Sequence, residues 1–302
     1  MIALSTCWQS TLAQSGRDLV ARLQALGFME VELEYRITPE MYAELKPALA
    51  AADIHPVSVH NYFPAPKVAP MPGGEVWSFS SEDENERRTA VDYTKRAIDI
   101  AGELGAKALV VHCGQVSIDP RTEELKDLFD AGQIEAPAGR RVIDEIKRAR
   151  KAKIGPALER VRTCLEPLEE AAHNAGIKLG LENRYYSHEI PNSDDLALLL
   201  PAVGNGSIGY WHDVGHAAVQ ENLGLDSQAS LLGRFRDRTI GVHLHDARGY
   251  EDHLAPGTGE VDFSFIRENL PGGVIQVLEV QPSVTPVQLR AGLDNLASVG
   301  IG

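Results

Sequence analysis

At 302 residues, with 43% hydrophobic and 24% charged residues, the chain has an ordinary globular composition and enough length for a large core. These values exclude a largely disordered chain, and no run approaches the ~20 apolar residues that a membrane-spanning helix needs. A formal net charge of −14 repels polyanions and argues against a general nucleic-acid binder, which would present a basic face.

Short β-branched runs alternate with longer amphipathic segments along the chain. The pattern predicts a strand at Ile2 to Cys7, a helix at Ser15 to Leu26, a strand at Met29 to Tyr35 and a helix at Pro39 to Ala52. A strand at Pro56 to Tyr62, a helix at Asp83 to Leu104, a strand at Ala108 to Cys113 and a helix at Arg141 to Ala175 follow. The second half repeats the rhythm with strands at Ile177 to Asn183, Ser207 to Asp213, Thr239 to Asp246 and Val274 to Gln281. Its helices fall at Ser193 to Ala202, Ser227 to Phe235, Phe263 to Asn269 and Thr285 to Ser298. Gly27, Gly105, Gly176 and Gly300 mark helix ends.

Eight strands, each followed by a helix, are the count of a (β/α)₈ TIM barrel, here a single domain over residues 1–302. A doubly wound sheet should carry a glycine-rich loop after its first strand, and Ser5-Thr6-Cys7-Trp8-Gln9 has no glycine. The stretch at about 115–155, with Pro120, Pro137 and Gly139, exceeds an ordinary barrel connection and reads as an excursion over the barrel mouth. Within it, Arg140 to Lys153 interleaves basic, acidic and apolar residues at helical spacing, the pattern of a solvated helix face. Cys7, Cys113 and Cys164 form no C-x-x-C pair and read as buried, reduced thiols. With no basic segment after Met1, the chain reads as cytoplasmic.

Six of the strand-like runs end in His, Asp or Glu: His60, His112, Glu182, Asp213 with His216, His243, and Glu279. In a barrel these positions converge on the carboxyl ends of the strands, where active sites lie. Glu182 and Glu279 follow apolar residues on strands buried on both faces, so each needs a metal, a cation or a proton. Two such glutamates at one barrel end suit metal ligation and proton transfer. Asp213 suits a hard divalent cation, and His216, three residues on, a metal or a substrate hydroxyl. His212 has the opposite parity and is expected to point out toward the helices. His243 and His245 share a parity, and both could face the lumen. His60 and His112 suit a metal or a substrate hydrogen bond equally.

These residues carry a resemblance to the xylose isomerase-like TIM-barrel superfamily, which groups sugar isomerases and epimerases with abasic-site nucleases of the endonuclease IV type. The matching pieces are Val111-His112-Cys113-Gly114, Leu181-Glu182-Asn183-Arg184, His212-Asp213-Val214-Gly215-His216, His243-Leu244-His245-Asp246, Gly257-Thr258-Gly259-Glu260-Val261-Asp262-Phe263 and Leu278-Glu279. The resemblance implies one divalent metal (Mn, Co, Mg or Zn) on Glu182, Asp213, His243 and Glu279. It implies substrate contacts from His216, His245, Arg248 and Arg184, the last equally suited to a structural salt bridge. The implied reaction is isomerisation or epimerisation of a small carbohydrate, a sugar phosphate or an inositol-type substrate. Glu182 and Glu279 would move the proton through a metal-stabilised enediolate.

The same resemblance offers a multi-zinc phosphodiester hydrolase of the endonuclease IV type. His60 and His112 would complete one zinc site, and His216, Glu251 and His253 another, although Glu251 stands where that group has an aspartate. The acidic balance offers no phosphate-contacting basic loops in support. A catalytically inactive sugar-binding barrel is the third reading, since the fold alone selects no chemistry. The residues point to no membrane partner and leave oligomerisation open.

Overall fold

The structure, a computed structural model, describes residues 1–68, 73–202 and 206–302. In chain order its elements are β1 (Ala3–Ser5), α1 (Gly16–Leu26), β2 (Glu30–Leu33), α2 (Pro39–Ala52), β3 (His55–His60), α3 (Glu84–Glu103), β4 (Ala108–Val111) and β5 (Gly114–Gln115). Then come α4 (Thr122–Asp130), α5 (Pro137–Ala175), β6 (Lys178–Glu182), β7 (Glu189–Ile190), α6 (Ser193–Ala202), β8 (Ile208–Asp213), α7 (Val214–Asn222) and α8 (Gln228–Phe235). The chain closes with β9 (Thr239–Leu244), β10 (Asp246–Arg248), β11 (Glu251–Leu254), α9 (Phe263–Asn269), β12 (Ile275–Leu278) and α10 (Pro286–Ser298).

The eight expected strands pair in the order β1-β12-β9-β8-β6-β4-β3-β2 and close into a parallel (β/α)₈ barrel. Local chemistry sets the helix ends. Ser15, Thr38, Asp83, Ser227 and Thr285 each accept a backbone N–H of the first turn, and Thr285 with Gln288 forms a capping box. The expected helices beginning at Ser15, Asp83, Ser227 and Thr285 thus start on their caps. Gly27 and Gly176 end α1 and α5 in the left-handed conformation that glycine adopts without strain. Two helices, α4 and α7, have no counterpart in the sequence pattern.

The principal core fills the layer between barrel and helices, with residues such as Leu4, Leu109, Leu179 and Leu244 facing Leu23, Ile98 and Leu165. Inside the barrel is a smaller apolar layer of Ala3, Val57, Ala108, Val110, Trp211 and Val277. Trp211 is fully buried there. A Cβ on Gly180 of β6 or Gly241 of β9 would lie 2.8 Å or 2.2 Å from its ring. The two glycines make the room in which the indole sits, a case of close approach that only a missing side chain permits.

The excursion at about 115–155 is mostly helical: α4, the turn after it and the amino-terminal turns of α5 place Leu125, Ile134, Val142, Ile143 and Ile146 against Val219 and Leu223 of α7 and Ala247 of β10. The basic stretch lies on α5 with its lysines and arginines exposed except Arg150, which is buried and paired with Asp195. The three cysteines are free and buried. Among the described residues no helix is long and apolar enough to cross a membrane.

Candidate metal centre

Four barrel strands deliver one cluster. Glu182 ends β6, Asp213 ends β8, His243 lies on β9, and Glu279 follows β12. Their ligand atoms all lie within 4.8 Å of one another, and all four residues are buried. His243 Nδ1 stands 2.8 Å from Glu182 Oε1, 2.9 Å from Glu279 Oε2 and 3.5 Å from Asp213 Oδ2. Burial opposes the imidazolium, but Glu279, Glu32 and Glu182 outweigh it and hold His243 well above the ordinary histidine range. Burial likewise opposes the ionised forms of Glu182 and Asp213. The facing histidines prevail and keep both well below the usual carboxylate range.

Three buried carboxylates converging on one point repel one another and need positive charge between them. A divalent cation meets that need, and the oxygen-rich set with one nitrogen fits Mn, Co, Mg or Zn. The orientation of His243 fits as well: its Nε2 donates to Glu32 Oε1 at 3.0 Å, which leaves Nδ1 to face the carboxylates.

On one flank stand His60 and His112, whose ligand atoms cluster with Glu182. His60 Nδ1 donates to the Asn61 carbonyl at 3.0 Å, and its Nε2 lies 3.5 Å from Glu182 Oε2. His112 Nε2 is 2.6 Å from the same oxygen, while its Nδ1 lies 2.8 Å from Glu75. Arg184 is partly buried beside them and forms ion pairs with Glu182, Glu75 and Glu189.

On the other flank Asp213 caps α7, its Oδ1 accepting the His216 N–H at 2.7 Å. His216 Nδ1 donates to the Asn183 carbonyl at 3.1 Å, and its Nε2 faces Asp252 Oδ2 at 3.6 Å. His216, Asp252 and His253 gather their ligand atoms within 4.8 Å. The acidic member is therefore Asp252 and not the expected Glu251, which is exposed on β11. Burial works against a charged His253, yet Asp252 overcomes it and lifts the imidazole to about 9.

The chain matches the profile of the xylose isomerase-like TIM barrel over residues 20–296. It belongs to that family. An uncharacterised protein of Methanocaldococcus jannaschii is 27% identical over 203 residues, a match covering 63% of this chain and 55% of that protein. The chain thus spans about half the length of that relative. Among solved structures, the E. coli 3-keto-D-glucoside 4-epimerase superposes with a TM-score of 0.67 at 17% identity, covering 98% of both chains. An L-ribulose 3-epimerase gives 0.68 at 16% identity, covering 99% of this chain and 95% of the other. At these identities the likeness is one of fold.

Within this xylose isomerase-like barrel, several expected substrate contacts have other partners. His245 is fully buried. Its Nε2 donates to Asp213 at 2.9 Å, and its Nδ1 accepts the His253 N–H at 2.8 Å, so both nitrogens are engaged within the protein. Arg248 is exposed and donates to the Thr258 carbonyl. His212 points outward as its parity requires, bonded to Gln228 of α8 at 2.9 Å and to Tyr210 at 2.6 Å.

Sequence reasoning missed three further residues of the site. Glu32 orients His243. Asn183 ties β6 to β8, its side chain accepting the Asp213 N–H at 2.7 Å and donating to the Asp213 carbonyl at 2.9 Å. Asp246 organises the loop after β11, accepting the N–H groups of Gly257 at 2.8 Å, Gly259 at 2.9 Å and Val261 at 3.0 Å. That loop is the Gly257-to-Phe263 motif, so the motif's glycines let backbone wrap a buried carboxylate. A signal was present: Asp246 directly follows the His243-Leu244-His245 run.

Proposed function

We propose that this protein is a divalent-metal-dependent isomerase or epimerase of a small carbohydrate. The observation that carries the reading is the placement of Glu182 and Glu279, from different strands, at 2.8 Å and 2.9 Å from the same nitrogen of His243. Two carboxylates converging on one centre suit proton removal from a carbon beside a carbonyl and its return. The sugar epimerases among the similar structures agree with that chemistry.

Glu182, Asp213, His243 and Glu279 would hold the ion, and a bound divalent cation supplies Lewis-acid stabilisation of negative charge on a substrate oxygen. The chain's own groups do the rest. One glutamate takes the proton, and the C–H electron pair passes into the neighbouring carbonyl. Return of a proton to the opposite face inverts the centre; return to the adjacent carbon interconverts aldose and ketose. Asp213 is kept in place by His245, Asn183 and the first turn of α7, so the site needs little reorganisation when substrate arrives.

The test is deuterium incorporation from D₂O into a panel of ketoses and keto-glycosides, with Glu182→Gln and Glu279→Gln compared at matched metal content. Each substitution should cut exchange at least ~100-fold, in line with general acid–base contributions. Full exchange in both variants would overturn the assignment. A metal-loaded wild type that binds sugars without exchanging any proton would be a sugar-binding barrel.

A second reading has its own observation. Ligand sets of His60, His112 and Glu182 and of His216, Asp252 and His253 adjoin the central cluster, which suits a multi-zinc phosphodiester hydrolase. Three zinc ions per chain together with cleavage of an abasic-site duplex would establish it. The net charge of −14 weighs against a DNA substrate.

A further inference from the structure

The two oxygens of Glu182 face different surroundings. Oε1 meets His243 in the central cluster, whereas Oε2 meets His112 at 2.6 Å, Arg184 Nη1 at 3.1 Å and His60 at 3.5 Å. The same Arg184 Nη1 is 2.5 Å from His112 Nε2. A guanidinium can only donate, so in this contact His112 Nε2 is the acceptor and its lone pair is taken up by Arg184. An imidazole nitrogen and a carboxylate oxygen thus converge on one N–H group as ligands converge on a cation.

We propose that Arg184 is a built-in cation that replaces a metal ion between His60, His112 and Glu182, and so limits how many ions this barrel binds. A zinc-type ion lies ~2.0–2.2 Å from its nitrogen and oxygen ligands. An ion so placed on the His112 Nε2 lone pair would coincide with Nη1. The arginine is not free to withdraw: its side chain is 9% exposed, and Nη2 is bound to Glu75 and, at 3.3 Å, to Glu189. Moving it out would strand two acids that now share its charge. The fork geometry of a guanidinium, with several N–H groups in one plane, allows one side chain to serve all three carboxylates. The central cluster differs in this respect. Among the described residues no lysine or arginine hydrogen-bonds Asp213, His243 or Glu279, so its charge is left for a metal. With Arg184 in place, His60 and His112 act as hydrogen-bonding side chains beside the centre.

The inference rests on the metal centre proposed above, and metal counting separates the two. Full-length protein stripped with chelator, reloaded with Zn²⁺ and desalted is analysed by elemental mass spectrometry, with circular dichroism confirming the fold. Arg184→Ala should bind one more ion per chain than wild type, and adding His112→Ala should remove that extra ion. His112→Ala alone should leave the wild-type count unchanged. Equal counts in wild type and folded Arg184→Ala, or loss of an ion in His112→Ala alone, would overturn the inference. If Arg184→Ala does not fold, the single His112 variant still decides. A wild type without any ion defeats the central metal site, while a gain in Arg184→Ala would still uphold the role of the arginine. Zero ions in both defeats both.

Discussion

The Glu32 carboxylate on β2 reaches across the barrel lumen to Nε2 of His243 on β9, 3.0 Å away, and the two strands are not neighbours in the sheet. Ser58 Oγ steadies the same carboxylate at 2.8 Å. This pair sets which ring nitrogen of His243 faces the ligand cluster. Glu32→Gln should weaken divalent-metal affinity ~10–100-fold, the usual effect of removing a carboxylate behind a ligating histidine. Competition titration with a metal-sensitive dye measures it, and unchanged affinity would show that Glu32 has no orienting role.

The packing of Trp211 makes a second prediction. Gly241→Ala would place a methyl group 2.2 Å from the indole. Overpacking of this kind costs ~1–3 kcal/mol. Urea unfolding should register the loss, and the near-ultraviolet dichroism of the native state should change because the ring must move. A variant as stable as wild type with an unaltered spectrum would mean that the indole packs elsewhere.

Asp246 is buried and accepts four backbone N–H groups, those of Ala247, Gly257, Gly259 and Val261. Asp246→Ala leaves these donors without their acceptor and should destabilise the fold by about 3 kcal/mol or more. Hydrogen exchange should then accelerate first at Gly257, Gly259 and Val261. Uniform protection in the variant would contradict the loop-organising role.

His212 provides the pH prediction. Burial pushes its imidazole down to about 4, against an unfolded value near 6.5. Because the folded pKa is depressed, the folded chain binds fewer protons. Stability is therefore complete above about pH 6.5 and declines as pH falls through about 4. The contribution is up to about 3 kcal/mol. Chelator-treated wild type should lose more stability than His212→Gln between pH 6.5 and 4.5, because the carboxylates titrate alike in both. Parallel losses would sink the assignment.

The barrel was legible because eight apolar runs alternate with amphipathic segments, and members of the central cluster because an acid such as Glu182 or Glu279 is conspicuous at the end of a run buried on both faces. Glu32 was not legible. It lies in Glu30-Val31-Glu32-Leu33-Glu34, whose alternation reads as a half-solvated strand, although Glu32 and Glu34 are buried. Asp252 was passed over because the resemblance set Glu251 against the aspartate of the endonuclease IV group, one position away in the β10–β11 hairpin. Its register shifts between Asp246 and Arg248, and His253 has a φ of 54°. Helix α7 was hidden because it follows β8 with no loop between them, Asp213 serving both as strand end and as helix cap. The role of Arg184 depends on Glu75 and Glu189, partners that no local pattern could assign.

Trp211, wedged between Gly180 and Gly241, gives the lumen a solid floor directly beneath His243, whose ring it meets edge-on with centroids 5.2 Å apart. With the indole filling the lumen on that side, the side left for an approach to the cluster is that of the carboxyl ends of the strands.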